Sequence, residues 1–219
     1  MTLTLYAHPF SSYCQKALIA LYENATPFNY RMMEFGDESV VAELTALWPM
    51  KRMPVLLDDG RAVAEATIII EHLALYHPGP VELIPADRKD ALGVRFMDRF
   101  FDNYVMTPMQ RIVFNYIRPL EDRDQQTDDE ARAMLAAAYR WLERQLAGRE
   151  WATGDAFTLA DCAAAPSLFY ADWVHPIEAE FSHLLAYRRR LLARPSFARA
   201  VNEARPYREF FPPGAPDRD

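Results

Sequence analysis

The chain has 219 residues, 51% of them apolar, with 24 basic against 31 acidic side chains and a net charge of −7. That is enough apolar material for one large domain or two small ones, and an acidic balance argues against a nucleic-acid partner. Two cysteines, Cys14 and Cys162, exclude a disulfide framework. The first residues, Met1-Thr2-Leu3-Thr4-Leu5-Tyr6, lack the basic region and long apolar stretch of a signal peptide. No run of 18 apolar residues is present, so a soluble cytoplasmic protein without membrane contact is expected.

Leu3 to Ala7 is a predicted strand. His8-Pro9-Phe10 turns the chain, and Cys14, Ala17, Leu18 and Leu21 then recur at helical spacing, which predicts a helix over Ser12 to Tyr22. Ser11 and Ser12 therefore sit at a helix N-terminus, where unpaired N–H groups and the helix field favour an anion such as a thiolate. Each serine has an ordinary alternative as a cap. Asn24 stops the helix, and the aromatic stretch Phe28 to Met33 reads as a second strand, parallel to the first.

A short helix over Val40 to Leu47 ends at Trp48-Pro49. Val55 to Leu57 and Arg61 to Val63 are strands joined by the Asp59-Gly60 turn, which makes them antiparallel. Pro54 opens the first of these, either as an edge proline or after a cis bond to Met53. A third helix starts at Glu65, with Ile69, Leu73 and Tyr76 on one face. Glu65 is either a first-turn acid suited to the dipole or a partner for a ligand ammonium.

In their order, Ser11, Met53-Pro54 and Glu65 resemble the thioredoxin-like N-terminal domain of cytosolic glutathione transferases. Ser11-Ser12-Tyr13-Cys14 also resembles the Cys-Pro-Tyr-Cys box of glutaredoxins, with its first cysteine replaced by Ser11. The resemblance implies glutathione as co-substrate, a bacterial, serine-type site and a homodimer. Ser11, with Ser12 as rival, holds the glutathione sulfur as thiolate, and Pro54 is cis. The backbone of Met53 pairs with the cysteinyl unit, Arg52 meets the glycyl carboxylate, and Glu65 with the start of the third helix holds the γ-glutamyl end. The family usually carries Glu-Ser where this chain has Glu65-Ala66, so the hydroxyl donor to the γ-glutamyl carboxylate is missing and only the Ala66 N–H remains. Thr67 is a candidate replacement. The reaction implied is transfer of glutathione to a small, apolar electrophile. The alternatives are a non-catalytic binding or structural protein on the same scaffold, or a glutathione-dependent reductase or dehalogenase using Cys14.

His77-Pro78-Gly79-Pro80 breaks the third helix. From Asp87 on the pattern is helical, which divides the chain into an α/β thioredoxin-like domain at 1–80 and an all-α helical bundle at 87–219. Asp87 to Tyr116 is predicted as one helix or a broken pair, kinked at Pro108, with Leu92, Phe96, Phe100, Tyr104 and Ile112 on its apolar side. Met106, Met109, Gln110 and Phe114 are candidate walls for an apolar substrate, though each also suits a core. Leu120 to Asp129 reads as a loop, Glu130 to Leu146 and Ile177 to Leu192 as helices, and Pro195 to Ala204 as a last short one. Arg188-Arg189-Arg190 is expected in solvent near a helix end.

Phe157-Thr158-Leu159-Ala160-Asp161 is the clearest local signal of this half, a capping box before a helix of small residues. It matches the capping motif before a buried helix in glutathione transferases, where its role is in folding. The tail Pro206 to Pro213 is expected to fold back, with disorder beyond Gly214. The five histidines show no known ligand spacing and neither cysteine joins them, so no metal site is read.

Overall fold

The computed structural model describes residues 2–34 and 36–219; Met1 and Phe35, both within the predicted segment 1–80, lie outside the described residues. The chain runs β1 (Leu3–Ala7), α1 (Ser12–Glu23), β2 (Asn29–Met32), α2 (Glu38–Leu47), β3 (Val55–Asp58), β4 (Arg61–Ala64) and α3 (Ala66–Tyr76). It continues through α4 (Arg88–Phe100), a π turn (Phe101–Met106), α5 (Thr107–Ile117), α6 (Gln125–Gln145), α7 (Leu159–Val174), α8 (Ser182–Ala193) and α9 (Pro195–Ala204). A mixed sheet with its helices forms the N-terminal half, and helices alone form the C-terminal half.

The sheet order is β2-β1-β3-β4. β1 pairs in parallel with β2, Leu5 opposite Tyr30, and antiparallel with β3, Leu5 opposite Leu56. Side chains alternate across it as strand geometry requires. Leu3, Leu5 and Ala7 join Leu18, Ile69 and Leu73 from α1 and α3 on one face, while Tyr6 and Val55 meet Val40 and Leu44 of α2 on the other. Asp59 and Gly60 both have positive φ, 44° and 90°, as a two-residue hairpin matched to strand twist requires.

The central helix of the second half is α7, buried along its whole length despite Pro166 in its interior. Its start is held as the capping box predicts. Asp161 Oδ2 accepts the Thr158 N–H at 2.8 Å, and Asp161 Oδ1 accepts the Ala152 N–H at 2.9 Å and the Tyr187 hydroxyl at 2.6 Å. Burial pushes this carboxyl up, and these donors pull it back. Cys162 is fully buried, as a small hydrophobe is.

Between the halves, Asn24 at the end of α1 accepts the Val81 N–H at 2.8 Å and donates to the Val81 carbonyl at 3.2 Å. The close approach requires glycine at 79, where a Cβ would stand 2.4 Å from Asn24. A second junction is ionic. Lys16 of α1 lies 2.5 Å from Asp98 Oδ1 of α4 and 2.8 Å from Asp102 Oδ2 of the π turn, and donates to Thr67 of α3 at 2.9 Å. Arg99 also pairs with both carboxylates.

Several expectations are corrected. Leu92, Phe96 and Tyr104 are at least half exposed, while Val94, Met97, Phe101 and Val105 face the core. Leu92 and Phe96 lie on the outer face of α4, before the π turn begins at Phe101, and the turn shifts the helix face only for the residues from there on, Tyr104 among them. It accommodates Pro108 one turn later: the Thr107 N–H bonds back to Asp102, five residues away. Helix α6 starts at Gln125 because Asp124 caps it, accepting the Gln126 N–H at 3.1 Å, so part of the acidic stretch taken as loop is its first turn. The stretch 177–181 lies outside α8. Arg188 is buried against Asp172 at 3.1 Å. The chain beyond Gly214 is tethered rather than disordered: Asp219 pairs with Arg205 at 2.7 Å and Arg208 at 2.9 Å, and Arg218 pairs with Asp172.

Candidate functional site

A cleft of about 410 Å³ opens towards the second half at the edge of the sheet where β1 and β4 end and β3 begins. Three loop-to-element junctions build its first wall. At the first, the Ser11 N–H donates to the His8 carbonyl at 3.0 Å and the Ser11 hydroxyl accepts the Cys14 N–H at 3.4 Å, so Ser11 is the cap of α1, partly buried and on the cleft. At the second, the Met53–Pro54 bond is cis, and both residues line the cleft just before β3. At the third, Glu65 caps α3 with φ of 71°, an unusual conformation for a residue with a Cβ, and Ala66 beside it is buried. Arg52 is exposed on the rim next to Lys51.

Of the site residues expected from the sequence, Ser11, Arg52, Met53, Pro54, Glu65 and Ala66 all border this one cleft. Ser12 does not. It is buried, and faces an adjoining apolar cavity of about 240 Å³. Ser11, Gln110 and Phe114 border both spaces, so the two adjoin. Met109 also lines the apolar cavity, whereas Met106 is in the core, a correction to its expected role. Phe211 closes that cavity from the tail. Its ring stacks on Tyr170, with centroids 6.1 Å apart, and meets Phe10 edge-on at 6.3 Å.

Tyr13, Arg99 and Asp102 line the cleft and were not singled out from the sequence. Tyr13 follows the two serines as one more helix residue, and the other two reach the cleft only through the fold. Burial, aided by the Asp102 carboxylate, pushes the Tyr13 phenol up to about 12, so it stays a neutral donor. Burial also raises the Asp102 carboxyl, with Lys16 opposing. Thr67 does not replace the missing serine hydroxyl. Its Oγ1 is engaged by Lys16 at 2.9 Å, Arg99 at 2.5 Å and Asp98 at 3.0 Å.

Cys14 is fully buried, and burial pushes its thiol up to about 11. A thiol so held is poorly nucleophilic near neutral pH, which argues against chemistry at Cys14. The site thus offers a polar cleft bordered by Ser11 with an apolar cavity beside it. The amino ends of α1 and α3 both border the cleft, a field that favours bound anions there.

The Glutathione S-transferase, N-terminal domain family model matches residues 5–81, and the Glutathione S-transferase, C-terminal domain model matches residues 109–190. The chain is 31% identical over 155 residues to the glutathione S-transferase-like protein LUC7 of a Fusarium species, covering 70% of this chain and 68% of that protein. It is 26% identical to glutathione S-transferase GstB of Escherichia coli K12, over 91% of this chain and 97% of that one. A solved glutathione S-transferase from Methylobacterium radiotolerans, in complex with glutathione sulfonate, is 29% identical and superposes with a TM-score of 0.80, over 92% of this chain and 95% of that chain. With both halves matched in order, and with the sheet, the helical half and the cleft between them in place, the chain belongs to the glutathione S-transferase family.

Proposed function

We propose that this chain transfers glutathione to a small, apolar electrophile. The observation that carries the reading is the convergence of Ser11, the cis Met53–Pro54 pair and Glu65 on one cleft that adjoins an apolar cavity. Glutathione lies along the polar wall. Its sulfur meets the Ser11 hydroxyl, its cysteinyl backbone the main chain of Met53, its glycyl carboxylate Arg52, and its γ-glutamyl end Glu65 and the amino end of α3. The Ser11 O–H and the field of α1 stabilise the thiolate without adding a charge. The thiolate forms the new C–S bond as the electrophile's leaving group departs with its electron pair. The electrophile occupies the cavity bordered by Met109, Phe114 and Phe211, whose apolar surfaces suit varied substrates. Ser11 is favoured over Ser12 because Ser12 is buried away from the polar cleft.

Calorimetric titration with reduced glutathione, beside a Ser11→Ala variant, tests this. The wild type is expected to bind glutathione and to show the thiolate absorbance near neutral pH. The variant is expected to bind with similar affinity but to keep the sulfur protonated. A charge-assisted hydrogen bond of about 1.5–3 kcal/mol corresponds to roughly a ten- to hundred-fold loss in turnover. An unchanged thiolate signal in the variant removes Ser11 from the mechanism.

Ala66 favours a second reading, a non-catalytic binding protein on the same scaffold. Its lost hydroxyl is not replaced by Thr67, which is engaged elsewhere. No heat at high glutathione concentration would select that reading. The oligomer is part of the proposal. Leu92 and Phe96 on α4 and Ile68 on α3 are exposed together with the Glu71–Arg95 pair, an apolar surface with a polar component that a second copy of the chain would cover. Light scattering coupled to size exclusion gives the mass directly, and a monomer at micromolar concentration removes the homodimer. Among the described residues no helix is long and apolar enough to cross a membrane; a cytoplasmic location is proposed with the function and checked by cell fractionation.

A further inference from the structure

Three side chains outside the cleft converge at the far end of the sheet. Asp58 is the last residue of β3, His72 lies on the inner side of α3, and His77 follows its C-terminus. The Nε2 atoms of both histidines stand 2.8 Å from the same oxygen, Asp58 Oδ2. One potential ligand atom from each of the three residues lies within 4.8 Å of the others. The sequence hides this group, since a separation of five does not repeat a helix face. His77 reaches the others because the helix stops. Its N–H closes the last turn on Leu73 at 2.8 Å, and its φ of −136° and ψ of 52° swing the ring back towards β3.

We propose that Asp58, His72 and His77 bind one divalent transition-metal ion of the zinc type, with water completing the coordination. Two imidazoles and one carboxylate are a borderline donor set that suits zinc and its neighbours, whereas magnesium and calcium prefer oxygen alone. Both imidazoles bind as neutral rings: Nε2 gives its lone pair to the metal and the ring proton moves to Nδ1, so the two contacts to Asp58 are exchanged for metal–ligand bonds. Ligand bonds of about 2.0–2.2 Å require tip movements of under roughly 1 Å from the observed positions. Side-chain exposure of 14% at Asp58 and 16% at His77 leaves solvent access on one side, while His72 is held under the Tyr76 ring, 4.6 Å away. Arg61, opposite Asp58 in the hairpin, holds its cation over the Tyr76 ring that packs on His72.

The site is separate from the glutathione chemistry. Helix α3 begins at the cleft with Ala66 and ends at Tyr76, 11 residues or about 16 Å away. A bound ion ties the end of β3 to the end of α3 and stabilises the N-terminal half by linkage.

The full chain without a purification tag, stripped with chelator, is titrated with zinc sulfate by calorimetry and with cobalt chloride by visible absorption. One ion per chain, a tetrahedral cobalt spectrum and a thermal midpoint raised by zinc are expected. His77→Gln and Asp58→Asn should each weaken zinc binding more than about tenfold, since even outer-sphere partners cost about 10–100-fold. His183→Gln, an exposed histidine on α8, should bind zinc as the wild type does. The cobalt spectrum of the wild type stands even where a variant folds poorly. Absence of zinc uptake by the wild type overturns the proposal, as does uptake that survives both His77→Gln and Asp58→Asn.

Discussion

Replacing Lys16 by Met tests what joins the two halves. Lys16, Asp98 and Asp102 have side-chain exposures of 1%, 1% and 7%, so the ammonium is the buried cation facing two buried carboxylates. Arg99 also meets both, but its side chain is 51% exposed and its charge is shared with water. Methionine fills nearly the same volume as lysine, so the packing loss is small and the effect is electrostatic. Removing one partner of a buried pair costs about 3–5 kcal/mol, because the remaining charge is left uncompensated. In a protein of this size each kcal/mol lowers the thermal midpoint by about 2–4 °C, which gives a fall of about 6–20 °C. The sign of the pH dependence follows. Burial already raises the Asp102 carboxyl, and loss of Lys16 raises it further above its unfolded value. The penalty is then fully present above the folded pKa and fades as pH falls towards the unfolded one. The stability gap to wild type should narrow from pH 7 to pH 5 in urea titrations, and adding Asp102→Asn should restore part of the loss. A variant within about 1 kcal/mol of wild type, with no pH dependence of the difference, would refute the ionic account of this junction.

Ala66→Ser should tighten glutathione binding by about ten- to a hundred-fold, the converse of a lost charge-assisted hydrogen bond; calorimetry that finds no gain shows that the γ-glutamyl carboxylate does not reach this position. Cys14→Ala should leave turnover unchanged with an identified electrophile, and Cys14 should resist iodoacetamide at pH 8, where a thiol raised to about 11 is about one part in a thousand thiolate. Rapid alkylation of Cys14 in the folded protein, followed by mass spectrometry, would contradict its burial. Asp161→Ala should destabilise by at least about 3 kcal/mol, because the Ala152 and Thr158 N–H groups and the Tyr187 hydroxyl all lose their acceptor in the core. The urea midpoint measures it, and glutathione affinity of the folded fraction should be unchanged.

Local signals were legible wherever one short segment carries its own physics. The Asp59-Gly60 turn, the Thr158–Asp161 box, the cap at Ser11 and the strand over Leu3 to Ala7 depend on neighbours within a few residues, and the structure has each of them. The stripe through Leu92 and Phe96 misled because apolar residues also stand on the outer face of α4, opposite Val94 and Met97, and beyond Phe101 a π turn shifts the helix face that carries Tyr104. Arg188 read as solvated because its partner Asp172 comes from another helix.

The sequence by itself determined most of the element types, the parallel β1–β2 and antiparallel β3–β4 pairings, the caps at Ser11 and Thr158 and the resemblance to glutathione transferases, since these follow from propensity, periodicity and motif order. Only the tertiary structure decided which of two adjacent serines faces the cleft. A helix turns by about 100° between neighbours, and what covers each face comes from elsewhere in the chain. It also decided that Thr67 is committed to the ionic junction, that Tyr13, Arg99 and Asp102 border the site, and that Asp58, His72 and His77 meet. Each of these joins residues from separate elements, and long-range packing, not spacing along the chain, sets such distances.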